Sequence, residues 1–363
     1  MRAARLHGPR DVRLDEVPAP VPGPGEVLIR VRAVSICASD CRMYWDGHAG
    51  GVLPDHPMIQ GHEFSGDVVA LGEGVTEPPI GTRVAVEPSW NCGACDMCRR
   101  SLPNLCRNII FPSFPQRDGA LAEYVACPAR ATCPLPQHVS YIEGALVEPL
   151  GVGLHAVRLA DPQPDDRVLI LGAGAIGMGV LLCAQVRGVK RIAVVEPIKG
   201  RREWPKRLGA EPVVASAEAL TPPFGHPSPS GRGDGGEGSK GKGVPEGRGE
   251  GYEADIVFEC AGEGTAIQQA LDLARPAGKV MVVGIPHPER VCLDASIPRR
   301  KELTVIFTRR SRDTLEEAVS LIASGQIDLS AFPVREYRLD QTVEAIEATA
   351  ARPGDMLRAV VRP

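Results

Sequence analysis

Residues 168–179 read "VLILGAGAIGMG", an apolar run that breaks into three glycines, Gly172, Gly174 and Gly177, spaced GxGxxG. A strand that must turn at once into a helix fits few architectures, and the residues around it narrow the choice further. "RVLILGAG", "RIAVVEP", "ADIVFECAG" and "KVMVVGIP" alternate with the helical stretches "AIGMGVLLCAQVRG", "GRREWPKRLGA" and "GTAIQQALDLARPAG". Strands and helices alternating at this spacing predict βαβ crossovers and a parallel sheet. In that setting the first glycine allows the tight turn, the second lets backbone approach a pyrophosphate, and the third lets helix pack on strand. The N–H groups at Ala175, Ile176 and Gly177 then open the helix toward the phosphates. Glu196 ends the next strand, at about the distance where an acid accepts ribose hydroxyls and repels a 2′-phosphate, which predicts NAD rather than NADP. Lys199, Arg201 and Arg202 follow closely and can neutralise a phosphate, so NADP stays open, and Arg201 is a candidate cofactor contact.

A chain of 363 residues is too long for one ordinary core. Residues 1 to about 155 carry short Val-rich runs, "EVLIRVRAVSIC", "FSGDVVALG", "GTRVAVEP" and "LAEYVACP", separated by Gly, Pro and Asp turn signals, a β-rich barrel-like texture. Residues 156–296 form the alternating unit, and residues 297–363 are expected to return to the first domain, ending in the strand "LRAVVRP". Residues 221–251, "TPPFGHPSPSGRGDGGEGSKGKGVPEGRGEG", are dominated by Gly, Pro and Ser and have few apolar side chains to offset the entropy of ordering. They are expected to be a flexible surface insertion of about residues 218–251, with a cofactor lid as the alternative. A net charge of -4 offers no general attraction for nucleic acid or anionic membranes. No uncharged apolar stretch reaches the length needed to cross a bilayer, and the N-terminus has no signal-like run, so the cytoplasm is the expected location.

Cysteine spacing adds chemistry. In "NCGACDMCRRSLPNLC", Cys92, Cys95, Cys98 and Cys106 follow CxxCxxC and then a seven-residue gap, which lets the backbone wrap one ion, within a lobe of about residues 88–108. Four thiolates fill every position on zinc, so this site is structural; an iron–sulfur cluster is the rival. A catalytic zinc keeps a position open and mixes its ligands. "SICASDCRMYW" offers Cys37 and "IQGHEFSGDV" offers His62 and Glu63, although a buried apolar cysteine and a core histidine are the favoured readings of the first two when each is taken alone.

The segments "CASD" at Cys37 to Asp40, "GHEFSG" at Gly61 to Gly66, the four-cysteine lobe, "EPLGVGLHA" at Glu148 to Ala156, and GxGxxG occur in one order. In this the chain resembles the zinc-containing medium-chain alcohol dehydrogenases, in their polyol (sorbitol) and threonine dehydrogenase branch. The resemblance covers nearly everything outside the Gly-rich insertion. It implies a GroES-like, mostly β catalytic domain split around a Rossmann doubly wound domain, an α/β fold with the active site in the cleft. It also implies two zinc ions per chain, with Glu148 joining Cys37, His62 and Glu63 where other branches bring a second cysteine. Ser39 resembles the family's hydroxyl relay and Asp40 the acid that orients His62. Arg42 stands where many relatives carry histidine, and arginine cannot accept a proton at working pH.

For the substrate, Tyr44 matches the tyrosine of the polyol branch, Phe111 and Phe114 fall near the expected cleft, and Glu148 doubles as a substrate contact. Arg309, with Arg310, resembles an arginine used on polar substrates, a solvated charge run being the alternative reading. A small polar alcohol such as a polyol, a sugar alcohol or an inositol-like ring is expected, oxidised with NAD by a homo-oligomer, dimer or tetramer. A threonine-type dehydrogenase or ketone reductase, and a non-catalytic zinc and nucleotide sensor, are the alternatives.

Overall fold

The computed structural model describes residues 1–48, 57–114, 116–220, 252–287, 290–329 and 332–363. The Gly-rich insertion expected at about 218–251 lies, from residue 221 on, outside the described residues.

The first part of the chain is β-rich, as its turn-punctuated Val runs predict. It contains β1 (Arg2–Gly8), β2 (Asp11–Glu16), β3 (Glu26–Ser35), α1 (Ala38–Asp46), β4 (Met58–Ile59), β5 (Glu63–Leu71), β6 (Arg83–Val86), α2 (Asp96–Arg99), β7 (Tyr124–Pro128) and β8 (Thr132–Pro134). β1 sits between β2 and β4 in a small antiparallel sheet. β3 lies at the centre of the larger one, pairing with both β5 and β7. Its residues alternate between buried and less buried at first and are continuously buried from Ala33 to Ser35, the pattern of a strand whose end is covered on both faces.

α3 (Tyr141–Ala160) then opens with a capping box in which Ser140 and Glu143 exchange side-chain and backbone hydrogen bonds. It leads to β9 (Arg167–Leu171), α4 (Ala175–Val186), β10 (Arg191–Val195), α5 (Glu203–Arg207), β11 (Val213–Val214), β12 (Ala254–Glu259), α6 (Ala266–Leu273), β13 (Ala274–Val282), α7 (Ser296–Lys301) and β14 (Thr304–Phe307). Six of these strands form one parallel sheet in the order β11-β10-β9-β12-β13-β14. Counted within the unit this is 3-2-1-4-5-6, the doubly wound order that leaves a crevice above β9 and β12 where the winding reverses.

The chain closes with α8 (Leu315–Ala323), β15 (Val334–Arg338), α9 (Thr342–Ala350) and β16 (Arg358–Arg362). β16 pairs antiparallel with β3, so the C-terminus does rejoin the first sheet. The return begins later than residue 297, however, because Val280 and Met281 pair in parallel with Val305 and Ile306 and make β14 the sixth strand of the nucleotide-type sheet. The other expected boundary, at residue 155, falls inside α3, which is one unbroken helix with Pro149 within it. α3 packs on β3, β5 and β6 and also on α4 and α8. The core around it accordingly mixes Ala85, Leu135 and Val139 of the first domain with Val168, Ile170 and Met178 of the second. Among the described residues, no helix is long and apolar enough to cross a membrane.

Candidate functional site

The glycine loop has the geometry its spacing demands. Gly172 has φ +98°, in the region that disfavours side chains, and its N–H donates to the carbonyl of Val195 at 2.8 Å. A Cβ on Gly177 would lie 1.9 Å from the carbonyl oxygen of Gly172, so only glycine lets α4 sit this close to the loop. Gly174, the N-cap of α4, has nothing within 4 Å of a notional Cβ. Open space over free N–H groups at a helix N-terminus suits a pyrophosphate. Glu196 braces this loop, its Oε2 accepting the Ala173 N–H and its Oε1 the Ile198 N–H, both at 2.8 Å. Each of its oxygens keeps a lone pair for a hydroxyl.

Arg201 does not join them. It is buried, and it donates to the carbonyls of Pro353 at 3.2 Å and Met356 at 3.4 Å, which ties the nucleotide-type unit to the segment before β16. Arg202 stays beside β10 and caps the carbonyls of Glu196 and Pro197.

The second cluster is assembled by strand register. β3 and β5 are antiparallel with Ser35 opposite Glu63, so Cys37, just past β3, comes beside His62, just before β5. The ligand atoms of Cys37, His62 and Glu63 lie within 4.8 Å of one another. Asp40, almost fully buried, organises the group. Its Oδ2 accepts the Cys37 N–H at 2.9 Å, and its Oδ1 accepts the Ser113 hydroxyl at 3.0 Å and faces His62 Nδ1 at 3.6 Å. Burial opposes charge on His62, yet Asp40 and Cys37 outweigh it and hold the imidazole's pKa well above its ordinary value. Glu63 Oε1 accepts from Arg358 Nη2 at 2.9 Å, whereas its buried Oε2 has no partner among the described residues. An unpartnered carboxylate oxygen beside a thiol and an imidazole is a mixed donor set with a position to spare, the chemistry that suits a catalytic zinc. Glu148 stands outside this compact trio. Its carboxyl is pushed up by burial first and by Glu63 next, so it is close enough to share the field of the cluster.

In the cysteine lobe, Cys95 and Cys98 sulfurs are 3.5 Å apart, Cys92 and Cys106 3.5 Å, and Cys95 and Cys106 3.9 Å. Four sulfurs around one zinc at about 2.3 Å define a tetrahedron with edges of about 3.8 Å. The N–H groups of Ala94 and Cys95 push the Cys92 thiol down, while burial and the thiol of Cys95 push Cys98 up. Sulfurs this close cannot all ionise until a cation sits among them. The residues present therefore fit one tetrahedral ion with no position left for substrate.

Around the Cys37 cluster, Phe111 packs its ring 5.0 Å from that of His62 and 5.5 Å from Phe114. Arg310, not the exposed Arg309, faces this wall, its guanidinium carbon 4.0 Å above the Phe111 ring. Tyr44 is likewise not brought to the cleft: it is buried against Trp45 and its hydroxyl donates to Glu347 at 3.3 Å. Ser39 lies half-buried in the first turn of α1, two residues from Cys37. Arg42 reaches across to the carbonyl of Ile285, 2.8 Å away in the loop after β13. Sequence reasoning passed over Arg358, Ser113, Asn104 and Glu87. Of these, only Glu87 gave a signal, as an acid at a strand end just ahead of the cysteine lobe.

A split β domain joined through a shared helix to a 3-2-1-4-5-6 parallel sheet, with a thiol–imidazole–carboxylate cluster in the β part, is the architecture of the medium-chain nucleotide-dependent dehydrogenases. Residues 23–137 match the family described as alcohol dehydrogenase GroES-like domain, and residues 175–324 match zinc-binding dehydrogenase. The chain is 31% identical to a sorbitol dehydrogenase of Bacillus subtilis (strain 168), covering 100% of this chain and 97% of that protein. It is 32% identical to an L-idonate 5-dehydrogenase of Vitis vinifera, covering 98% and 93%. The crystal structure of 2R,3R-butanediol dehydrogenase from Bacillus subtilis superimposes with a TM-score of 0.80 at 27% identity, over 100% of this chain and 99% of that one. The chain belongs to the zinc-binding alcohol dehydrogenase family, and it is an oxidoreductase of the alcohol and polyol type.

Proposed function

We propose that the protein oxidises a secondary hydroxyl of a small polyol-like substrate by hydride transfer to NAD, with one zinc held by Cys37, His62 and Glu63 and a second, structural one held by the four-cysteine lobe. The observation that carries this reading is the Cys37–His62–Glu63 trio, half-buried at the thiol and buried at the other two, with an unpartnered Glu63 oxygen. Zinc in such a site acts as a Lewis acid that favours the alkoxide form of an alcohol.

The remaining work falls to the chain itself. Asp40 holds the His62 ring and the start of α1 in fixed relation, so that the thiol and the imidazole stay in register. Arg358 fixes one Glu63 oxygen and leaves the other free to act as a ligand. Glu148, whose carboxyl is held protonated more readily than an exposed acid, would exchange with substrate or join the ligands by a movement toward the trio. Ser39, half-buried two residues past Cys37, provides the first step of a proton path. The glycine loop and Glu196 fix the cofactor's pyrophosphate and ribose, and the carboxylate favours NAD because a 2′-phosphate would meet its charge. The sheet crevice and the apolar wall of Phe111 and Phe114 exclude water from the reacting carbon.

The test is metal content together with an NAD-reduction screen over hexitols, inositols and threonine. Two zinc ions per chain and turnover of polyols support the reading. One ion per chain, unchanged by Cys37→Ala, with no turnover on any of these alcohols, refutes it. Turnover of threonine alone moves the enzyme to the threonine branch.

A further inference from the structure

Arg310, half-buried, brings its guanidinium beside the cluster, where Glu148 and Glu87 favour its charge. Its Nη1 is buried and has no hydrogen-bond partner among the described residues. Its face lies on Phe111, the ring that also packs against His62. The carboxylate of Glu87 attracts it through space but is hydrogen-bonded elsewhere, Oε1 accepting the Ser89 N–H at 2.9 Å and Oε2 the Ser311 hydroxyl at 2.8 Å. Burial pushes Arg310 down to about 10, which still leaves it charged at neutral pH. A buried N–H group without an acceptor costs free energy, which an oxygen of a bound ligand would recover.

The backbone holds this side chain in place at some cost. Arg310 has φ +53°, a left-handed conformation that non-glycine residues avoid. Both neighbours are clamped from the catalytic domain. Asn104, buried in the cysteine lobe, donates to the carbonyl of Arg309 at 3.0 Å, and Ser311 is tied to Glu87 beyond the end of β6. A strained residue fixed from both sides beside a cleft is the pattern of a positioned binding group.

We propose that Arg310 selects an anionic polyol, a polyhydroxy chain bearing a carboxylate or a phosphate at the end away from the reacting hydroxyl. The inference rests on the polyol reading above and narrows it. A neutral hydroxyl can accept one N–H, but it cannot neutralise the charge. A carboxylate or phosphate matches the planar fork of arginine with two parallel hydrogen bonds and would supply the acceptor that Nη1 lacks. Phe111 keeps the fork flat and out of water, which strengthens the pairing.

The experiment compares kcat/KM, at saturating NAD, for a hexitol, the hexonate of the same hydroxyl configuration and the corresponding hexitol phosphate. The unmodified protein should prefer at least one anion by tenfold or more, and which anion wins identifies the group. In Arg310→Met the preference should collapse through KM of the anion, and Arg310→Lys should restore part of it. A wild-type enzyme that turns over the hexitol as well as or better than both anions overturns this inference and leaves the polyol reading standing. No turnover of any of the three overturns the polyol reading, and this inference with it. Should Arg310→Met fail to fold, the unmodified protein still decides: inorganic phosphate or acetate should inhibit hexitol oxidation competitively, and absence of inhibition by both refutes the proposal.

Discussion

Gly174 and Gly177 lie three residues apart in the same loop, and the structure assigns them opposite kinds of necessity. A Cβ on Gly177 would meet the Gly172 carbonyl oxygen at 1.9 Å and its carbon at 3.0 Å, both backbone atoms that cannot swing aside. Gly177→Ala must therefore push α4 off the loop, an overpacking that costs about 1–3 kcal/mol or more. Gly174→Ala meets nothing within 4 Å, and its φ of −77° suits alanine. Alanine is a poorer N-cap than glycine by about 0.5–1 kcal/mol, but it also restricts the unfolded chain by about 0.4–1 kcal/mol, so the two effects nearly cancel. The same methyl group would occupy the space through which a pyrophosphate reaches the helix N–H groups. Urea denaturation and NADH fluorescence titration separate the two effects. Gly177→Ala should lower the urea midpoint and weaken binding together. Gly174→Ala should keep the midpoint to within about 1 kcal/mol of stability while weakening NADH by roughly tenfold or more, which is about 1.4 kcal/mol. Gly174→Ala that binds NADH normally, or Gly177→Ala that keeps full stability, refutes the reasoning.

Arg358→Leu leaves Glu63 buried without its cation and also removes a 3.0 Å bond to the Ile36 carbonyl. Breaking a buried pair on one side costs about 3–5 kcal/mol, so the melting temperature should fall sharply, and Glu63→Gln in the same chain should recover part of the loss. Asp40→Asn removes the carboxylate facing His62 and weakens the cap on Cys37. Zinc retention against a chelator should drop about 10–100-fold, measured by metal analysis after dialysis. His155 is held down to about 4, by burial first and then by Arg312 and Arg158. Between about pH 6.5 and 4 the unfolded chain takes up a proton that the folded chain refuses, so stability present above the unfolded value is lost as pH falls through that window. The loss should be on the order of 2 kcal/mol in urea melts at pH 7 and pH 4.5, and His155→Gln should flatten it.

What was legible in the sequence was what short-range spacing encodes. The glycine loop, the four-cysteine lobe and the adjacent His62 and Glu63 each lie within one turn or strand end, where residue type and interval fix geometry. Cys37 was legible at one remove, because its place beside His62 depends on the register of β3 against β5. Contacts across domains were not legible. Arg201 looked like a phosphate ligand beside Glu196, but its partners are carbonyls about 150 residues later, at Pro353 and Met356. Arg358 had no local signal at all, since its carboxylate lies 295 positions earlier. The domain boundary at 297 failed because β14 is four residues long, follows a helix ending in "RRK", and ends in the exposed Phe307. So brief a strand reveals itself only through its pairing. Tyr44 and Arg309 are suggested by position in a motif, whereas side-chain direction turns the first toward α9 and sets Arg310, not Arg309, against Phe111.

Helix α3 carries one more consequence. Because it packs on both domains, each keeps a cluster of its own but shares a further one with its neighbour: Leu135 and Val139 rest on the same cluster as Ile170 and Met178. A chain of this length would ordinarily come apart in two calorimetric steps, one per domain. Here a fragment cut at residue 140 or at residue 161 would carry an apolar surface that only the missing piece can cover, so the nucleotide-type unit should not be recoverable as a well-folded fragment. Heating the whole chain should give one cooperative transition, with cofactor binding on one side of the helix raising the resistance of both.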